Sequence, residues 1–450
     1  MKSHIVALFT IMLVIVSCKN EPQIEYAILH GKIKNPIGKT IHIEGNDGSN
    51  FSKSIALKED GTFRDTVYAK PGYYTLKYHK LRIKYYLEPG FNLQTDINTE
   101  VVEISGKGAE NSNYLASKGE IYSQILPDFV SLYSQEEAVF YNRITELKAS
   151  WGNLIKNTPN LSKEFISFEQ KSIHYYYLLN LERYAFYHGF FTGKKNIKVS
   201  EKFKTPLISV NFGNDKEFVF FTSYHDLVRQ HYANRIRNEK NISVIFDEIS
   251  AFKAPILKES LAKKFNNYIL PSEENNEALY NGVLRLSSNT AFKQELIKRY
   301  LRIKPLAKGK TSPQFNTYKN HKGGTTSLED LKGKYVYIDI WATWCSPCIR
   351  EFPFLKKLEK DYRNKNITFV SISIDKAKDY DKWVQLVQDE ALEGVQLFAD
   401  NAYESKFIKE YVIDGIPRFI LIDPEGKIIH GNAQRPSDPK LIEIFDQLGM

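Results

Sequence analysis

A chain of 450 residues is too long for one hydrophobic core, so two or three domains are expected. With 42% hydrophobic and 26% charged residues it has the balance of a folded globular protein, which excludes extended disorder. The formal net charge of +9 is spread along the chain. Its densest loop cluster, Lys194, Lys195, Lys198, Lys202 and Lys204, has no nucleic-acid-binding module around it, so no nucleic-acid partner is expected.

Residues 1–17 read as a secretory signal: Lys2 supplies the positive end, and an apolar run follows over 5–16. That run is far short of the roughly 20 residues needed to span a bilayer as a helix. Its end, Ile15-Val16-Ser17-Cys18, resembles the lipobox of bacterial lipoproteins. The resemblance implies that Cys18 is lipidated and that residues 18–24 form a lipidated linker. The alternative is an ordinary signal with an incidental cysteine, but an unpaired exposed thiol is a liability in an exported protein.

Residues 25–110 are dense in short runs rich in Ile, Val, Tyr and Thr, at 26–33, 40–43, 62–68, 73–79, 83–87 and 91–97. Between them stand Asp47-Gly48, Asp60-Gly61, Pro71-Gly72 and Pro89-Gly90, residues that favour turns. This spacing predicts a small antiparallel β-sandwich. His30, His42 and His79 lie in it without metal-ligand spacing.

From 111 to 304 the period changes to that of helices. Phe140, Ile144, Leu147, Trp151, Leu154 and Ile155 share one helical face. The stretch 172–188, crowded with Tyr, Leu and Phe, predicts a helix buried on most sides. Further helices are predicted at 224–236, 255–269 and 278–301. The aromatic residues here read as core, and no chemistry is apparent.

The segment around 305–315, with Lys308, Gly309, Lys310, Ser312 and Pro313, reads as a linker opening the last domain, 305–450. A βαβ pattern follows: strand 335–340, helix 349–362, strand 367–374, helix 379–390, strand 395–398 and helix 403–411. A hairpin at 419–430, turning at Pro424-Glu425-Gly426, precedes a final helix from Asp438-Pro439 to 448.

At the first strand-to-helix junction stands Trp341-Ala342-Thr343-Trp344-Cys345-Ser346-Pro347-Cys348. A cysteine at a helix N-terminus sits where the partial positive charge favours thiolate, and a second thiol one turn on can attack a mixed disulfide formed by the first. This spacing therefore reads as a dithiol/disulfide switch. Zinc would need two more ligands, and no second close pair of Cys or His exists. Haem attachment would need histidine where Ile349 stands. Neither a metal nor another cofactor is expected.

The stretch from Asp339 through Cys348, with Gly415-Ile416-Pro417 downstream, resembles the thioredoxin fold. The lead-in Ser327 to Lys334 and an inserted helix around Trp383 narrow this to the TlpA/ResA-like envelope thiol-disulfide oxidoreductases. A peroxiredoxin is disfavoured, because Ile338 and Ala342 stand where that family has proline and threonine. The resemblance implies that Cys345 is the exposed nucleophile and Cys348 the buried resolving thiol, the two forming the redox-active disulfide. It further implies that Asp339 is a buried acid able to take the Cys348 proton and that Glu351 is a second acid near the pair. Pro353 matches the proline that kinks the active-site helix. Pro417 is expected to follow a cis bond facing Cys345, so that Ile416 and Pro417, with Trp344, contact substrate. Arg418 stands where thioredoxin has threonine and could bias substrate charge.

Taken together, the sequence predicts a multidomain protein: an antiparallel β-sandwich, a helical middle region and a C-terminal α/β thioredoxin-like domain. The implied function is a thiol-disulfide oxidoreductase, lipid-anchored in the bacterial cell envelope and facing the periplasm or the outer surface. Oxidase and isomerase share the motif, and Gly415-Ile416-Pro417, as in thioredoxin, favours a reductase. Its partners would be exported proteins carrying disulfides, a membrane thiol-electron supplier and, through lipid on Cys18, the membrane. The competing view is an envelope ligand- or partner-binding lipoprotein whose redox domain is accessory.

Overall fold

The structure, a computed structural model, describes residues 24–45, 51–68, 70–98 and 101–450. The expected signal segment 1–17, Cys18, the linker apart from Ile24, and the Asp47-Gly48 turn lie outside the described residues. Two compact units form: one runs up to Val210 and adds Lys216–Leu227, the other comprises Asn211–Asp215 and Val228–Met450.

The first unit begins with eight strands: β1 (Ala27–Ile33), β2 (Thr40–Gly45), β3 (Ser52–Ala56), β4 (Thr62–Val67), β5 (Gly72–Tyr78), β6 (Leu81–Leu87), β7 (Asn92–Asn98) and β8 (Val101–Lys107). They make two four-stranded sheets, ordered β4-β1-β7-β8 and β3-β2-β5-β6. A buried hydrogen bond of 2.6 Å between Tyr85 of β6 and Thr95 of β7 joins them. The expectation of purely antiparallel pairing is corrected: β1 and β7 run parallel. β3 and β8 went unrecognised for a physical reason. Ser52-Lys53-Ser54-Ile55-Ala56 buries only Ile55, and edge strand β8 buries no residue and alternates over Val102 and Ile104 alone, so neither shows a sustained apolar alternation.

Seven helices follow: α1 (Ala109–Ile125), α2 (Phe129–Ser134), α3 (Glu137–Asn157), α4 (Lys163–Thr192), α5 (Glu201–Ile208), α6 (Asp215–Phe220) and α7 (Thr222–Asn238). α6 and α7 each have residues in both units. The predicted stripe of α3 is inward as expected at Phe140, Ile144, Leu147, Trp151 and Ile155. Within the first unit Glu169 of α4 is fully buried, accepting from Tyr73 of β5 at 2.5 Å and from Lys118 of α1 at 2.6 Å. One carboxylate thus ties sheet to helices, its charge paired where burial would otherwise be costly.

The second unit adds α8 (Ser243–Ala251), α9 (Pro255–Asn266), α10 (Asn276–Leu286) and α11 (Thr290–Ile303). The single helix expected over 278–301 is two helices. Asn289 caps α11 by accepting from the Phe292 N–H at 2.9 Å, and the Ser287 hydroxyl turns to Glu259 of α9. Ser and Asn side chains compete with the helix for such bonds and break it here.

The remaining strands are β9 (Tyr318–Asn320), β10 (Thr325–Thr326), β11 (Tyr335–Trp341), β12 (Ile367–Ser373), β13 (Val395–Phe398), β14 (Arg418–Ile422) and β15 (Ile428–His430). They form one sheet ordered β10-β9-β13-β12-β11-β14-β15. The helices between and after them are α12 (Ser346–Ile349), α13 (Phe352–Asp361), α14 (Tyr380–Asp389), α15 (Lys406–Glu410) and α16 (Lys440–Gln447). α13 and α16 pack Leu355, Leu358, Leu441 and Phe445 against Tyr337, Phe369 and Phe419 of the sheet. α14 sets Trp383 against Phe398 of β13, ring centroids 5.3 Å apart.

The stretch 305–315 is no free linker. Gly309 donates to the Ile428 carbonyl at 2.7 Å, Ile428 donates to Lys310 at 2.8 Å, and the Ser312 hydroxyl meets Tyr411 at 2.6 Å, so the segment is laced to β15 and α15. The helices before it are held too. The Ser272 hydroxyl donates to the Leu306 carbonyl at 2.7 Å and accepts from the Gly431 N–H at 2.9 Å. Gly431 is glycine because a Cβ there would stand 2.6 Å from Cβ of Pro271. Arg302 of α11 donates to the Lys409 carbonyl of α15 at 2.9 Å. Among the described residues no helix is long and apolar enough to cross a membrane.

Candidate active site

β11 is buried along nearly its whole length, paired with parallel β12 on one side and antiparallel β14 on the other. It therefore delivers Trp341 and the loop after it from a rigid centre. The Trp341 ring is fully buried, edge-on to Phe352 at 5.1 Å. Cys345 then occupies the N-cap of α12, where its sulfur accepts from the Cys348 N–H at 3.2 Å. Cys345 and Cys348 are joined as a disulfide with Cα atoms 5.3 Å apart. In this oxidised form the expectation of an exposed Cys345 is corrected. It is 4% exposed and Cys348 1%. Trp344, beside them, is 59% exposed.

The helix expected over 349–362 is interrupted at Arg350-Glu351, giving α12 and α13. Pro353 stands in the first turn of α13, where its missing N–H costs no hydrogen bond and its fixed φ suits the helix start.

Asp339 lies inside β11, opposite Ser371 of β12 and Phe419 of β14. It is buried, and its Oδ1 has no hydrogen-bond partner among the described residues. Burial pushes its carboxyl well above the ordinary carboxylate range, and the charges of Glu351 and Glu359 push it the same way. Glu351 is close enough to act on Asp339 electrostatically, but its oxygens are committed. Oε2 accepts from the Ser437 N–H and Oε1 from the Ser437 hydroxyl, each at 3.0 Å. Its geometry is that of an anchor for the 431–438 loop.

Asp375 is a site residue that pattern reading missed. It lies just beyond β12, buried, and accepts from the Thr343 N–H at 2.8 Å, the Thr343 hydroxyl at 2.8 Å and the Ser373 hydroxyl at 2.7 Å. It thereby holds the loop two residues before Cys345. The available signal was an aspartate directly after a buried strand, next to the strand that carries the cysteines.

The Ile416–Pro417 peptide bond is cis. Because Arg418 pairs with Ile340, the residues before β14 and those after β11 leave the sheet at the same end. Among the described residues the Ile416 N–H and C=O have no hydrogen-bond partner, leaving a short strand edge open beside the cysteine loop.

Residues 307–444 match the Redoxin family. Thiol-disulfide oxidoreductase ResA of Bacillus cereus is 29% identical over 129 residues, covering 27% of this chain and 66%, just under two thirds, of that relative. ResA of Bacillus thuringiensis subsp. konkukian is 30% identical over 148 residues, covering 31% of this chain and 78% of the relative. Among solved structures, a solution structure described as a putative thiol-disulfide oxidoreductase from Bacteroides vulgatus is 51% identical. It covers 30% of this chain and 86% of its own, with a TM-score of 0.28.

Proposed function

The chain belongs to the ResA-like thiol-disulfide oxidoreductases of the thioredoxin fold, and from that premise we propose that it reduces disulfides of exported proteins through Cys345 and Cys348. The observation that carries this is the Cys345–Cys348 disulfide closed across the N-cap of α12, beside the open backbone of Ile416.

In the proposed cycle the reduced protein lays a substrate segment along Ile416 as one added strand. The Cys345 thiolate, favoured by the hydrogen bond that its sulfur accepts from the Cys348 N–H, attacks a substrate sulfur. One substrate thiolate leaves and takes a proton, and a mixed disulfide remains. Cys348 passes its proton to Asp339 and attacks Cys345, and the second substrate sulfur leaves as a thiolate that takes a proton from solvent. Two electrons have then moved to substrate, and the Cys345–Cys348 bond stores the deficit until a membrane thiol-electron supplier reduces it. Asp339 suits this role because burial raises its proton affinity, so that once ionised its carboxylate is a strong base in the buried site. Trp344 gives the substrate an exposed aromatic surface.

The proposal also places the protein in the bacterial envelope, facing the periplasm and lipid-anchored through Cys18, with a β-sandwich at 25–110 and a helical region at 111–304 ahead of the redox domain. Metabolic labelling with a fatty acid tests the anchor, and no label on the wild type removes it. The redox assignment is tested with insulin. The reduced protein should cleave its disulfides, Cys345→Ala should abolish cleavage, and Cys348→Ser should trap a mixed disulfide on Cys345. Full activity in Cys345→Ala would overturn the roles.

A further inference from the structure

Arg418 follows the cis proline directly, and at most about 7 Å of chain separates its Cα from that of Ile416. Its backbone is fixed by pairing with Ile340 at the end of β11 from which the cysteine loop departs. One nitrogen of its guanidinium is buried and has no hydrogen-bond partner among the described residues. A buried donor without an acceptor is unfavourable unless something arrives to satisfy it.

The surroundings say what that would be. Arg418 feels the field of Asp414, in the same loop, and of Arg299 on α11. Arg299 in turn feels Asp414 and Arg302. The guanidiniums of Arg418 and Arg299 therefore share one carboxylate, Asp414, which is itself exposed to solvent. α11 cannot simply swing away to relieve the repulsion. Arg299 donates to the Asn266 carbonyl at 2.7 Å, Arg302 donates to Lys409 at 2.9 Å, and the Ser272 hydroxyl bridges Leu306 and Gly431. Burial holds the guanidiniums of Arg299 and Arg418 below the ordinary arginine range, against the opposing pull of Asp414.

We propose that Arg418 and Arg299 form a carboxylate-binding subsite beside the Ile416–Pro417 edge, selecting substrate segments with an aspartate or glutamate close to the disulfide cysteine. This rests on the reductase reading above and deepens it. A carboxylate entering there accepts the unsatisfied Arg418 donor and neutralises the excess charge, the arrangement in which arginine forks bind most strongly. It also gives the helices before the redox domain a task at the site, since Arg299 comes from one of them.

The test uses the full chain, reduced beforehand and freed of reductant, in single-turnover oxidation by excess disulfide-bridged peptide. Two peptides are compared, identical except for Glu or Gln beside the cysteines. Each turnover converts one peptide disulfide to a dithiol and the protein dithiol to the Cys345–Cys348 disulfide. At low salt the wild type should react about five- to tenfold faster with the Glu peptide, and the ratio should fall towards one at high salt. Arg418→Gln and Arg299→Gln should each lower the ratio, with Arg418→Lys intermediate because it keeps charge but loses the fork. If Arg418→Gln fails to fold by circular dichroism, Arg299→Gln carries the test alone. Equal rates for the two peptides, or a ratio untouched by both Gln variants, would overturn the subsite. A wild type oxidised by neither peptide would instead overturn the reductase reading.

Discussion

Asp375 receives both the backbone N–H and the hydroxyl of Thr343, each at 2.8 Å, so one buried carboxylate sets the loop that presents Cys345. Asp375→Ala leaves those donors and the Ser373 hydroxyl without their acceptor. Hydrogen bonds to a charged group are worth about 1.5–3 kcal/mol each, and the bonds are coupled, so a loss of roughly 3 kcal/mol in urea unfolding is expected. Insulin reduction should fall as well, and Asp375→Asn should recover part of both.

Asp339→Asn should separate chemistry from stability. Without an acceptor for the Cys348 proton, resolution of the mixed disulfide should slow about 100-fold at neutral pH, seen as an accumulating adduct in rapid-quench experiments. Stability should move the other way. The folded carboxyl has a raised proton affinity, so the native state binds more protons than the unfolded chain, and stability declines as pH rises above about 4 towards the folded pKa. The Asn variant should therefore gain on the wild type at neutral pH and lose that advantage below about pH 4.

Glu359 on α13 offers the same test away from the cysteines. Burial, aided by Glu393 and opposed by Lys322 and Lys356, pushes its carboxyl up to about 7, and its Oε1 has no hydrogen-bond partner among the described residues. Glu359→Gln should be more stable than the wild type by about 2–3 kcal/mol at pH 8. The difference should shrink through the window from about 7 down to 4.5 and vanish near pH 4, where both states are protonated. A difference that is flat with pH would show that Glu359 is not the group responsible.

Trp344 is largely exposed and so has little packing to lose. Trp344→Ala should leave thermal unfolding within about 0.5 kcal/mol of the wild type. It should raise KM for protein disulfides by roughly five- to tenfold while changing kcat less, since an aromatic contact to substrate is worth about 1 kcal/mol.

The sequence made the redox domain legible because its evidence is local. Asp339, the two cysteines and Pro353 sit within one strand–loop–helix, and Val395–Phe398 is bounded as its apolar run indicates. What stayed hidden is contact across distance. Thr343 and Asp375 are separated by 32 residues, and Arg302 and Lys409, whose hydrogen bond ties α11 to α15, by 107. Ser287–Asn289 could have divided the 278–301 helix in advance, had capping been weighed above apolar periodicity. The parallel pairing of β1 with β7 follows from which strands meet in space, and no spacing along the chain encodes it.

Ser272 completes its two hydrogen bonds with Leu306, soon after it in the chain, and Gly431, near the C-terminus. During synthesis, which proceeds from the N-terminus, α9 to α11 leave the ribosome well before that glycine exists. Their contact surface for the redox domain must stay open through the making of nearly all of that domain.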